Sequence, residues 1–116
     1  MNSKTIPWTG LLVTAIGAIH TALGAVQWAT SDEPMELSFW FTGFGVVAVA
    51  YGLALIDAER IRGRLSWMAL APLIAIAGFG LAVYPLSGFT TLVVPIATGL
   101  ASRLRRSAAG PAVPIA

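Results

Sequence analysis

No cysteine occurs in this chain, and only one residue in ten is charged. The first absence removes disulfide frameworks, thiol nucleophiles and thiolate metal sites together. The second excludes more. A soluble domain carries about 25% charged residues, and 10% cannot clothe a water-facing surface for 116 residues. Histidine is nearly absent too. With His20 standing alone, a closed metal site of three or four side chains has no histidine set to draw on. No Walker loop, dinucleotide fingerprint, Ser/His/Asp set or HExxH motif is present.

What is present is apolar surface. Hydrophobic residues make up 57% of the chain, and the mean hydropathy is +0.81. The calculated pI of 9.7 would suit nucleic acid, but the net charge is only +2. The basic residues also cluster at the ends of apolar runs, where they orient membrane helices. No nucleic-acid partner is expected; the lipid bilayer is.

Four apolar runs predict four transmembrane helices, over about residues 6–29, 37–56, 65–84 and 86–102. The expected fold is all-α: a polytopic membrane protein with an antiparallel four-helix bundle, residues 1–106 forming one domain. Residues 107–116, rich in Pro and Ala, are expected to be a disordered tail. Pro7 suits an opening helical turn, and Trp8 and Trp28 flank the first run at headgroup level. That run spans roughly 35 Å at 1.5 Å per residue, enough for a hydrocarbon core. A cleaved signal peptide is its competing reading, but the run is longer than an ordinary h-region and carries His20 inside. Pro72 predicts a kink in the third run. The fourth run, interrupted by Pro95, reads as a short, tilted or broken helix.

Two spacings stand out. Gly10, Gly17 and Gly24 recur every seven residues in the first run, and Ser38, Gly45 and Gly52 do so in the second. Small-residue stripes let helix backbones approach closely where lipid supplies no hydrophobic drive. Helices one and two are therefore expected to pack on each other or on copies of themselves, and a homo-oligomer or a place in a larger membrane complex is expected. Orientation follows from the basic residues. With four spans, Lys4, the Arg60/Arg62/Arg64 group and the Arg103/Arg105/Arg106 group share one side, and the loops on the other side hold no Lys or Arg. The positive-inside rule then makes both termini cytoplasmic, in a cell inner (plasma) membrane. Asp57, Glu59 and the neighbouring arginines read as a solvated connection.

Three features carry a resemblance: Gly17-x-x-His20-Thr21-x-x-Gly24, the Phe39-Trp40-Phe41 cluster with Gly45 below it, and Pro85-x-Ser87-Gly88-Phe89. In their order and spacing the chain resembles a family of small uncharacterised four-helix bacterial integral membrane proteins, a domain of unknown function. The resemblance implies an architecture and no activity. The chain is also similar in size and helix count to small multidrug exporters. Those have a carboxylate inside the first helix, which here has no Asp or Glu.

His20 is the residue to watch, because an ionisable group near mid-bilayer is by default functional. The alternative is a neutral imidazole hydrogen-bonded across a helix interface. Gln27 lies two turns above it on the same helix face. An outward-facing ligand pocket is expected around His20, Gln27, Trp40 and Tyr84, with Glu36 at its mouth. The favoured function is non-catalytic: an accessory subunit, or a binder of a lipid, quinone or other apolar molecule. The alternative is a small intramembrane enzyme using His20 with Glu36 for acid–base isomerisation or cyclisation of an apolar substrate. A second alternative is an oligomeric small-molecule transporter. No cofactor is predicted; haem held by His20 of two subunits is the minor arrangement to weigh.

Overall fold

The computed structural model describes residues 6–32, 34–83 and 88–108. The chain is all-α: α1 (Trp8–Thr30), α2 (Met35–Arg62), α3 (Trp67–Val83), a 3-10 turn η1 (Gly88–Leu92) and α4 (Val93–Ala108). By length and composition, α1 and α2 are each long and apolar enough to cross a membrane, and α3 is a shorter apolar helix.

The boundaries from α1 to the start of α3 have local causes. Helix α1 ends where the Ser31 amide returns to the Gln27 carbonyl, and Pro34 then opens α2, its carbonyl accepting from Leu37 and Ser38. Helix α2 runs six residues beyond its expected end at 56. The charged sequence after Ile56 continues the helix until Gly63, whose φ of 78° stops it. Arg60 and Arg62 in the last turn suit the negative end of the helix dipole. Ser66 opens α3, its hydroxyl accepting from the Ala69 amide at 3.3 Å.

The expected fourth helix is divided. Its first residues form η1, and α4 begins at Val93, so that Pro95 falls in a first turn that needs no N–H donor. Ser107 and Ala108, assigned to the tail from sequence, extend α4. Residues 109–116 lie outside the described residues, as does Tyr84.

The two glycine stripes face each other. A Cβ on Gly10 would meet Ile56, on Gly17 the Ala48–Val49 backbone, and on Gly24 Thr42; from the other side, Gly52 meets Thr14 and Gly45 meets Thr21. Each step of three or four residues up α1 is matched by an equal step back along α2. Glycine on one helix always receives a larger residue from the other. Thr14 and Thr21 donate their hydroxyls to the Gly10 and Gly17 carbonyls of their own helix, at 2.7 and 2.8 Å, so that the oxygens facing Gly52 and Gly45 in the seam are satisfied within α1. Thr42 has no such outlet: its hydroxyl is buried and unpartnered among the described residues.

At the lower end of this pair, where α1 begins, all four helices meet. Val13, Leu55, Leu65, Leu70 and Leu73 are buried there, with Ile96 and Leu100 packed against them. The Tyr51 hydroxyl donates to the Ala69 carbonyl, within the turn that Pro72 loosens by lacking its N–H. Arg103 donates to the Leu65 carbonyl at 2.6 Å and lies 4.5 Å over the Trp67 ring, tying α4 to the start of α3.

Glu59 is the buried charge of this end. Pro7 precedes α1 and offers no side-chain cap, so the opening amides need acceptors from elsewhere. The Trp8 amide reaches the Ile6 carbonyl, and Leu11 reaches Pro7. Thr9 and Gly10 donate to the Glu59 carboxylate, at 3.3 and 2.6 Å. A carboxylate at the positive end of a helix dipole is well placed. The expectation of a solvated Glu59 is thus corrected: it caps a helix fifty residues earlier. Thr9 beside it is fully buried and shares a 2.8 Å hydrogen bond with Thr98, whose hydroxyl also lies 2.7 Å from the Pro95 carbonyl.

Candidate functional site

Away from this core, α1 and α2 remain in contact while η1 stands off, and a cavity of about 400 Å³ opens between them. Helix α1 contributes Ile16, Gly17 and His20. Helix α2 contributes Leu37, Trp40, Phe41, Phe44 and Ala48, which share one face at steps of three and four residues. Phe89 and Leu92 of η1 complete the wall.

The rings define its shape. His20 stacks on Phe41, centroids 4.0 Å apart and planes inclined by 21°. Phe44 meets Phe89 edge to face at 5.7 Å, an arrangement that aromatic quadrupoles favour. Phe89 is seated on α3 at Gly80, where a Cβ would strike its ring. A glycine is needed there because the ring occupies the space a side chain would take. Phe89 therefore sets how far η1 and α3 stand from α2, and hence how wide the cavity is.

Among the described lining residues, only the His20 imidazole and the Trp40 indole carry polar side-chain atoms. His20 is half-buried and stacks on Phe41, and its imidazole makes no hydrogen bond among the described residues. A neutral imidazole offers one donor and one acceptor. Held against aromatic walls, those atoms are available to a molecule in the cavity. The wall can therefore enclose an apolar body and orient it through one hydrogen bond.

Of the residues expected at the site from sequence, the structure brings His20 and Trp40 together on the cavity. Gln27 is exposed farther along α1 and is not part of the wall. Glu36 is exposed in the first turn of α2, next to the lining residue Leu37. Tyr84 lies outside the described residues. Sequence reasoning passed over Phe44, and it quoted Phe89 in the Pro85-x-Ser87-Gly88-Phe89 motif without assigning it to the pocket. The spacing Leu37, Trp40, Phe41, Phe44 was the available signal for the first; the motif marks Phe89 but not its place on the cavity wall, which depends on Gly80 of another helix. No cluster of three His, Cys, Asp or Glu able to hold a metal occurs among the described residues.

No curated protein and no solved structure matches the chain. The model of a family of unknown function, DUF6463, matches residues 4–106, and the chain belongs to that family.

Proposed function

We propose that this chain is a small multi-pass protein of the bacterial inner membrane that binds a neutral apolar molecule, such as a lipid or quinone, in the His20 cavity. It acts without catalysis, as a binding module or an accessory subunit of a larger membrane assembly or homo-oligomer. Its helices form an antiparallel transmembrane bundle with both termini cytoplasmic.

The membrane part of this reading is supported by what the apolar helices leave uncovered. Less than a third of the apolar stretch of either α1 or α2 is buried in the chain, whereas the core helix of a soluble protein hides most of its surface. Ile19, Leu23 and Val26 on α1 and Val46, Val47 and Leu53 on α2 are all more than half exposed. Patches of this extent need lipid or a partner.

The binding part rests on one observation: an apolar cavity of about 400 Å³ whose wall holds an imidazole without a hydrogen bond among the described residues. The same wall argues against acid–base catalysis, which ordinarily pairs two groups of divergent pKa. Glu36 is not on it.

Native mass spectrometry after gentle extraction tests the reading. The wild-type protein should retain a neutral apolar molecule, and His20→Phe, which keeps a ring and removes both nitrogens, should fold and release it. A wild-type protein that holds nothing, or a variant that binds unchanged, would show that the cavity is only a packing gap. Cysteines at Ser31 and Ser107 should react with an impermeant reagent from opposite faces of the membrane. Reaction of both from one face would refute the four-span topology.

A further inference from the structure

Toward the end of α2 remote from the cavity, a second depression runs along the flank of the helix. Leu53, Ile56 and Ile61 supply its apolar wall, and Asp57 and Arg60 complete it, around a volume of about 390 Å³. These positions fall at steps of three and four residues and share one helix face. Asp57 and Arg60 are both exposed, one turn apart. Among the described residues neither side chain has a hydrogen bond or an ion pair, to the other or elsewhere. Two opposite charges thus stand side by side, both open to a molecule lying along the groove.

Taken alone, the arginines of this end would attract any anionic headgroup: Arg62 and Arg105 are exposed as well, and Glu59 is engaged at the start of α1. Asp57 changes what the groove itself selects. A carboxylate in the wall disfavours a second negative charge and accepts N–H donors, while the planar Arg60 guanidinium matches phosphate oxygens. We infer that this groove seats a phospholipid whose headgroup carries both a phosphate and a primary ammonium, the phosphatidylethanolamine class. Arg60 takes the phosphate, Asp57 the ammonium, and one acyl chain follows Leu53 and Ile56. Phosphatidylglycerol has no ammonium for Asp57. The quaternary amine of phosphatidylcholine has no N–H to donate. The inference rests on the membrane reading above, in which Asp57 follows the last residue of the apolar run and lies at headgroup depth.

The test is native mass spectrometry of the full chain released from nanodiscs holding equal amounts of the three lipids. The wild type should retain phosphatidylethanolamine over the other two by about fivefold, as one charge-assisted hydrogen bond at a wet interface allows. Asp57→Asn should abolish the preference over phosphatidylcholine, and Arg60→Gln should weaken retention of all three. Both positions are exposed, so unchanged helix content by circular dichroism should accompany either change. Equal retention of the three lipids by the wild type, a preference for phosphatidylglycerol, or a preference that survives Asp57→Asn would each overturn the assignment. Recovery of the chain in the aqueous fraction, with no detergent needed, would overturn the membrane reading and this inference with it.

Discussion

The two sides of α1 solve opposite problems with the same small residues. Toward α2, glycine alternates with threonine and β-branched residues, and the two backbones close on each other with no room for an added methyl group. Toward η1, Gly17 and His20 face Phe41, Phe44 and Phe89, whose rings prop the elements apart and leave a cavity. Where a glycine is met directly, by backbone as at Gly45 or by a ring as at Gly80, the contact is tight; the gap opens where ring meets ring, His20 on Phe41 and Phe44 on Phe89.

The strongest way to break that contrast is to fill the seam. Gly45→Leu or Gly52→Leu drives a side chain into the Thr21 or Thr14 backbone and should cost about 3 kcal/mol or more, the upper range for overpacking. Gly43→Leu is the matched control, since nothing lies within 4 Å of a Cβ there. Thermal unfolding in detergent should lose the native transition for the first pair and keep it for the control. Equal behaviour of all three would mean that the seam is not close-packed.

A smaller loss is expected from Glu59→Ala. It strips the Thr9 and Gly10 amides of their acceptor at a cost of about 1–3 kcal/mol for buried donors left unpaired, while Glu59→Gln should recover part of it. Hydrogen exchange at the first turn of α1 would read the effect directly. If neither variant accelerates exchange there, the carboxylate does not cap the helix.

The mildest change sharpens the comparison. Thr42→Val replaces a buried hydroxyl that has no partner among the described residues with a methyl of the same shape. Stability should hold or rise by about 1 kcal/mol, since an unsatisfied polar group is removed. A clear loss of stability would show that this hydroxyl has a partner that matters.

The legible parts of this fold were those written as repetition. The seven-residue stripes predict close packing of helices one and two, on each other or on copies of themselves, and the apolar runs predict four helical segments, because both signals are carried by many positions at once. Glu59 was not legible, because a charged residue after an apolar run looks the same whether the helix stops or continues. Two clues did exist: Gly63 as a helix terminator, and the lack of a Ser, Thr, Asp or Asn cap at Pro7. The cavity was half legible. His20 and the Trp40 cluster mark its place, but its width depends on Phe89 resting on Gly80, a contact between two elements that no local pattern announces.

The seven-residue repeat of the seam has one further consequence. A ladder with identical rungs does not specify where two helices should stop sliding. Moving α2 by one repeat, about 10 Å along the axis, sets Gly45 against Thr14 and Gly17 against Thr42, pairings of the same kind as the native ones. The seam is degenerate to such a slip. Glu59 is not, because its carboxylate reaches the Thr9 and Gly10 amides in only one setting. One buried carboxyl group therefore adds a registry constraint that the repeat itself does not supply, alongside the short connection between Thr30 and Met35 that limits how far the helices can slide.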